Sequence, residues 1–282
     1  MKEALNPDAR GEQLVRNLLH GDSVKRQAAI ESLRSAIAAR DARPLPEPVL
    51  EALVRCVGDS RKSVQRRAID ALAAVSASGD VRVVKLLRHT VAGTDRRVRW
   101  ASAYALAQIG ADYLARDIID AVCEALSADD SDIRWAAANL LVRLGRDHPA
   151  EIRERLLALA TAPDSNARKM ALYCIRDLGI GGNDLLDAIG RLIHDRDVHV
   201  RLAALAVLAR LDDSNGAAAS LTLQVLENDP DAGVRRAGAA ALGNRKSATS
   251  PAGAALRAAA RDKSDASLAR AAQSALDRLE KR

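Results

Sequence analysis

The chain has 282 residues, of which 48% are hydrophobic and 28% charged, a balance that excludes an intrinsically disordered polypeptide. Only 2% of its residues are aromatic and none is Phe, so its apolar content is mainly aliphatic, which favours thin, closely packed helical layers. The formal net charge of +6 is mild for this length, and it permits an acidic partner without requiring one.

Targeting and redox signals are weak throughout the chain. No run of 18 apolar residues occurs, so no membrane span is predicted. The start, MKEALNPDARGEQ, lacks the apolar core of a signal peptide. The three cysteines are far apart and form no CxxC motif, which is typical of reduced thiols. We therefore expect a cytoplasmic protein.

In chain order, the sequence predicts a single domain over residues 1–282. It begins with an N-terminal capping repeat at about residues 12–40, and a Pro-rich loop (ARDARPLPEP) covers residues 39–48. Further repeats then occupy about residues 47–247. A polar loop (NRKSATSPAG) covers residues 244–253, and a C-terminal capping repeat covers about residues 250–282.

These divisions rest on an internal repeat that recurs eight times. Taking the first residue of each Val-Arg-like pair as position 0, the spacings are 39, 34, 35, 34, 33, 34 and 34 residues. The position 0 residues are Lys25, Val64, Val98, Ile133, Ala167, Val200, Val234 and Leu268. Apolar residues at positions 0, +3, +4, +7, +8 and +11 lie on one helical face, and another amphipathic run precedes each such helix. Each repeat is therefore predicted to be a helix A, a short turn and a helix B.

Position −3 is Asp in seven repeats and position +1 is Arg in six. Asp before a helix is a typical N-cap, and an Arg in register suggests a structural ladder between turns. The five clearest pairs are Asp95 and Arg99, Asp130 and Arg134, Asp164 and Arg168, Asp197 and Arg201, and Asp231 and Arg235. Gly110, Gly145 and Gly179 are predicted to end helices.

The pattern D-x-x-V-R-x-A-x-x-x-A-L, as it stands from Asp95 onward, resembles HEAT repeats, in particular the short bacterial form also found in phycobilisome lyases. The resemblance covers residues 14–282. It implies an all-α fold, an α-solenoid of about eight HEAT-like helix pairs stacked in a right-handed superhelix, with the B helices on the concave side.

On the B helices, positions +2, +6 and +9 point away from the buried face. Both tryptophans and two of the three tyrosines fall on this stripe. The candidate binding residues on and beside it are Trp100, Tyr104, Trp135, Asn139, Lys169, Tyr173, Arg66, Arg143, Arg176 and Arg236. Aromatic and Arg side chains are frequent anchors of binding sites. The alternative is that the tryptophans pack between neighbouring B helices and fill space left by Ala.

The leading hypothesis is a non-enzymatic scaffold that binds a partner protein or peptide, with acidic segments as a candidate feature of that partner. One alternative is nucleic-acid binding, akin to HEAT-like DNA glycosylases. A second is a lyase-like chaperone for a bilin or other tetrapyrrole. No cofactor, catalytic residue or metal ligand is predicted, and His194 and His199, with Asp195 and Asp197, favour a solvated turn over a metal site.

Overall fold

The computed structural model describes residues 7–38, 44–110, 116–211, 216–245 and 250–281. These residues contain sixteen α-helices and no strand, which confirms the all-α prediction. The helices are α1 Pro7–His20, α2 Ser23–Ala38, α3 Glu47–Arg55, α4 Lys62–Ala77, α5 Arg82–Val91, α6 Arg96–Ile109, α7 Arg116–Glu124, α8 Ser131–Asp147, α9 Pro149–Leu159, α10 Ser165–Leu178, α11 Asn183–Leu192, α12 Val198–Leu208, α13 Ala217–Asn228, α14 Ala232–Asn244, α15 Ser250–Arg261 and α16 Ala266–Glu280.

The helices alternate between the two predicted types. Odd-numbered helices are the A helices and even-numbered helices are the B helices, so the predicted helix pairs are confirmed. A single 3₁₀ turn extends α3 over Cys56–Gly58, and another extends α7 over Ala125–Ser127. The buried residues are almost all Ala, Leu, Val and Ile, which is how the core does without Phe.

The helices are grouped in two compact units, Met1–Ala125 and Leu126–Arg282. In the N-terminal unit, α2 packs on α4 and α4 packs on α6. In the C-terminal unit, consecutive B helices from α8 to α16 pack on one another. The single domain predicted over residues 1–282 stays a prediction.

The Asp residues at position −3 cap the B helices. The Asp95 carboxylate accepts hydrogen bonds from the backbone N–H groups of Arg97 and Val98, at 2.9 and 3.2 Å. Equivalent bonds to first-turn amides are made by Asp22, Asp130, Asp164, Asp197, Asp231 and Asp265. Each cap satisfies amides that have no partner inside the helix, typically worth about 1 kcal/mol.

The glycine assignments need one correction. Gly179 adopts a left-handed conformation (φ 65°) at the end of α10, and Gly110 follows the last residue of α6. Gly145, in contrast, lies inside α8 and does not end it. A Cβ atom at Gly145 would lie 2.6 Å from Cδ1 of Leu178 on α10, so the absent side chain lets the two helices approach closely.

The two predicted loops are shorter than expected. Residues 47 and 48 already belong to α3, and residues 250–253 already belong to α15. Pro48 and Pro251 are each the second residue of their helix, where the missing N–H is not needed. Residues 39–43 and 246–249 lie outside the described residues.

The Arg residues at position +1 join the turn of their own repeat to the turn of the next. The Arg201 guanidinium binds the Asp229 carboxylate through Nε and Nη2, at 2.8 and 3.1 Å, and donates through Nη1 to the Asp195 carbonyl. Arg168 makes the same bidentate contact with the Asp195 carboxylate, through Nε at 2.7 Å and Nη2 at 2.9 Å. In both pairs the acceptor stands two residues before the capping Asp. Both arginines are buried, so these contacts belong to the core.

This linkage is less regular elsewhere. Arg26 binds Asp59 at 2.6 Å, but Gln65 replaces Arg in the second repeat and donates to the Val57 carbonyl. Arg99 pairs with Glu124 at 2.8 Å. In the C-terminal unit, Arg134 donates to the carbonyls of residues 128 and 129, and Arg235 lies 3.6 Å from Asp265.

Two glycines near helix ends provide a matched test of this packing. A Cβ at Gly243 would lie 2.6 Å from the Ala275 backbone, whereas one at Gly190 would be 3.8 Å from its nearest neighbour. We expect Gly243→Ala to destabilise the C-terminal unit by about 1–3 kcal/mol because the backbone of α16 must move. We expect Gly190→Ala to stabilise it by roughly 0.5–1 kcal/mol because helix formation costs less entropy. Urea unfolding followed by circular dichroism measures both, and equal shifts would contradict the close approach.

The buried pair predicts a large effect of removing one partner. Asp229→Ala leaves the Arg201 charge buried and unpaired, so the unfolding free energy should fall by roughly 3–5 kcal/mol. Asp184→Ala is the control, because Asp184 pairs with Arg153 at 2.6 Å but is 55% exposed. Chemical denaturation of both variants is the measurement, and an Asp229→Ala change no larger than that of the control would contradict a structural role for the pair.

Candidate functional site

The candidate binding residues are distributed over both units. Arg66 on α4 and Trp100 and Tyr104 on α6 belong to the N-terminal unit. The other seven, which lie on α8, α10 and α14 of the C-terminal unit, are Trp135, Asn139, Arg143, Lys169, Tyr173, Arg176 and Arg236.

Trp100 does not point outward, so this part of the stripe prediction is wrong. Its side chain is buried, at 6% exposure, and its ring lies 5.3 Å from that of Tyr104 with the planes tilted by 46°. Residues four apart on a helix are neighbours, which brings these two rings together. A helical wheel gives the direction of Cβ but does not show what packs around the ring beyond it. Arg66 is exposed, and Tyr104 is half-buried.

Trp135 is exposed to solvent, at 47% of its surface. Its ring stacks on Tyr173 of the neighbouring B helix, with centroids 5.4 Å apart and planes within 11° of parallel. Trp135 is at position +2 of its repeat and Tyr173 is at position +6 of the next. The stack fixes the orientation of a large aromatic surface that still faces solvent.

Arg176 continues this arrangement on the α10 side. Its guanidinium carbon lies 5.1 Å from the Tyr173 ring centroid, within cation–π range. Its Nε donates to the Asp177 carboxylate at 2.8 Å, and this hydrogen bond raises the pKa of Arg176 further above its ordinary value. We call Trp135, Tyr173 and Arg176 the aromatic–arginine column. Its charge is fixed at every physiological pH.

Other charged groups surround the column. Lys169, on the same helix, donates through Nζ to Asn166 Oδ1 at 3.0 Å. Arg210 is 67% exposed and its Nη1 lies 3.8 Å from the Asp177 carboxylate. Asp177 and Arg210 also lie beside the stripe, at position +10 of their repeats as Arg143 does, but they are not among the ten candidate binding residues.

The remaining predicted residues lie around the column or away from it. Asn139 and Arg143 are exposed on α8, toward the C-terminus from Trp135. Arg236 is half-buried on α14, two B helices beyond α10, and is not part of the column.

Chemical groups for catalysis or metal binding are not assembled in the part of the chain that the structure describes. No group of three or more His, Cys, Asp or Glu residues there could hold a metal ion. In the turn considered for a metal, Asp195 binds Arg168 and Asp197 caps α12, so both carboxylates have structural partners. Burial raises the pKa of the Cys56 thiol to about 11, so this thiol stays protonated. None of the described helices has the length and apolar character needed to cross a membrane.

Comparison with known proteins assigns the family. The profile of the family described as HEAT repeats matches residues 11–107, 46–138 and 191–277, together well over half of the chain. The chain belongs to the HEAT-repeat family. No curated protein matches it. The finer resemblance to the short bacterial form stays a prediction.

Solved structures agree with this HEAT-repeat fold. An X-ray structure of the Escherichia coli protein YibA has a TM-score of 0.55 at 16% identity, over 99% of this chain and 93% of that one. Importin beta has a TM-score of 0.60 at 16% identity, over 97% of this chain and 42% of that chain. Kap95p in complex with RanGDP has a TM-score of 0.59 at 14% identity, over 96% of this chain and 40% of the Kap95p chain. At these identities the likeness establishes the α-solenoid fold and nothing more.

The different burial of the two tryptophans gives a direct test. Trp100→Ala removes a buried ring and should lower the unfolding free energy by roughly 3–5 kcal/mol. Trp135→Ala removes an exposed ring whose stack contributes only about 0.5–1.5 kcal/mol. Urea titration of the two single variants separates them. Each variant also retains one Trp, and the emission should be bluer when that residue is Trp100. Similar stability losses in both would contradict the assignment.

Proposed function

We propose that this HEAT-repeat protein is a non-enzymatic adaptor that binds a peptide segment of a partner protein on the B-helix face of its C-terminal unit. The observation that carries the proposal is Trp135, a large apolar ring held in a fixed orientation yet 47% exposed. Among the described residues it is the only exposed aromatic side chain of the kind that anchors interfaces.

The stack supports binding through preorganisation. An exposed side chain that is free to rotate loses conformational entropy when a partner immobilises it, at a cost of about 0.5–1.5 kcal/mol. Because Trp135 already lies against Tyr173, much of that cost is met before the partner arrives. The proposed contact residues are therefore the aromatic–arginine column with Lys169, and Asn139 and Arg143 form the margin. Tyr104, Arg66 and Arg236 are outside this proposal.

The charges around the column favour a partner segment with carboxylates. Lys169, Arg176 and Arg210 contribute three positive charges, whereas Asp177 and Asp197, which interacts electrostatically with Lys169, contribute two negative charges. Complementary charge increases the association rate and excludes basic partners. Kap95p, whose fold is similar, binds a protein, RanGDP. This is support by analogy with the fold, and the site itself rests on the column.

The test compares partner binding by three baits: the wild type, Trp135→Ala and the charge control Arg191→Gln. Arg191 is exposed on α11, an A helix of the same unit. Proteins from the native host that are retained by the wild type and the control, but not by Trp135→Ala, are then purified and their Kd values measured. We expect Trp135→Ala to weaken Kd by roughly 30-fold, the size of a binding hot spot.

An unchanged Kd would contradict the proposed site. Single-stranded DNA and RNA are tested in parallel across a salt series, because bases also stack on Trp and phosphates also bind Arg. Tight, steeply salt-dependent nucleic-acid binding that is lost in Trp135→Ala, with no Trp135-dependent protein partner, would replace the proposal by the nucleic-acid alternative.

A further inference from the structure

A small pocket opens beside the aromatic–arginine column, between the C-terminal ends of α10 and α12. Its volume is about 180 Å³. Its lining comprises Gly179, Gly181 and the aliphatic residues Ile175, Ile180, Val207 and Leu211, with Arg176 and Arg210 at the rim. Because Ile175 and Val207 are buried, most of the apolar surface comes from Ile180 and Leu211. Arg176 is thus shared between the column and the pocket.

The size of this pocket limits what can enter it. Pockets for small-molecule ligands and cofactors usually have about 300–1,000 Å³. A volume of about 180 Å³ lies below that range. That is room for one aliphatic side chain, and it is too little for a planar ring system such as a tetrapyrrole.

The guanidinium groups at the rim of the pocket can still bind an anion. Asp177 is the carboxylate shared by the two arginines, at 2.8 Å from Arg176 Nε and 3.8 Å from Arg210 Nη1. Within the described residues, the two Nη atoms of Arg176 have no hydrogen-bond partner. Two guanidinium groups and one carboxylate leave one net positive charge at the rim. A guanidinium edge with two parallel N–H groups matches a carboxylate.

We infer that the pocket binds an aliphatic side chain of the partner segment, and that the adjacent residue of that segment is an Asp or Glu whose carboxylate binds Arg176 and Arg210. This inference rests on the proposed function and specifies the chemistry of the partner. The two steps from Trp135 to Tyr173 and from Tyr173 to Arg176 are 5.4 and 5.1 Å. An extended peptide advances about 3.3–3.6 Å per residue, so at most about three residues separate the partner side chain that contacts Trp135 from the acidic residue.

The test is selection from a phage-displayed random heptapeptide library on the immobilised full chain. We expect the selected peptides to be enriched in an Asp or Glu directly beside Leu, Ile or Met. A synthetic peptide of the consensus sequence is then used to measure Kd for the wild type and for variants of the rim, the pocket and the column.

Two variants address the rim and the pocket without disturbing the core. Arg210→Gln removes an exposed charge. Gly181→Leu places a side chain in the pocket, and a Cβ there would lie 3.8 Å from Leu211 Cδ1, an ordinary contact. We expect each to weaken the Kd of the consensus peptide at least about tenfold, because a charged hydrogen bond or a buried side chain is lost. Arg191→Gln should leave Kd unchanged, and circular dichroism checks that every variant is folded.

The outcomes separate this inference from the proposed function. Peptides that need Trp135 but show no acidic–aliphatic pair, or whose Kd is unaffected by Arg210→Gln and Gly181→Leu, overturn the inference and leave the adaptor proposal standing. Peptides that need Arg210 and an open pocket but bind Trp135→Ala equally well support the pocket and overturn the column as the adaptor site. If no peptide is enriched, both are overturned.

Discussion

The contact on which the C-terminal unit most depends is the buried pairing of an Arg on one B helix with a carboxylate in the turn of the next repeat. The contacts of Arg168 with Asp195 and of Arg201 with Asp229 are bidentate. Each therefore fixes both the distance and the relative orientation of the guanidinium and carboxylate groups. The same guanidinium groups also donate to carbonyls in their own turns. Each pair therefore joins two successive turns and satisfies backbone groups that would otherwise lack partners.

This register between repeats places the residues of the candidate site. Trp135 and Tyr173 come from different B helices, so their stacking at 5.4 Å requires that α8 and α10 keep a constant spacing. Small residues make that spacing short, as at Gly145 beside Leu178. The buried positions of the repeat thus hold the B helices at a constant spacing. The outward positions do not contribute to this packing, so they are free to carry aromatic and basic side chains.

The sequence predicted the helices of the repeats better than the candidate binding site. Seven Asp residues in one register identified the B-helix N-termini, because capping is a local interaction that depends on a few neighbouring residues. The burial of Trp100 was not predictable from a helical wheel, since it depends on which groups pack around the ring in the folded chain. Gly145 looked like a helix end because Gly is common there, but close helix packing also favours Gly. The small pocket depends on how two helix ends meet, which periodicity does not encode.

The pairing between turns also has a direction. Arg168 and Arg201 each bind a carboxylate that lies 27 or 28 residues later in the chain, never earlier. During synthesis the arginine of a repeat is therefore made before its partner, and its charge cannot be buried favourably until the following turn has emerged. We expect the C-terminal unit to mature from repeat to repeat toward its C-terminus. A chain truncated after a repeat that contributes such an arginine would leave that guanidinium without its carboxylate. A chain that begins at the following repeat would leave the carboxylate without its guanidinium.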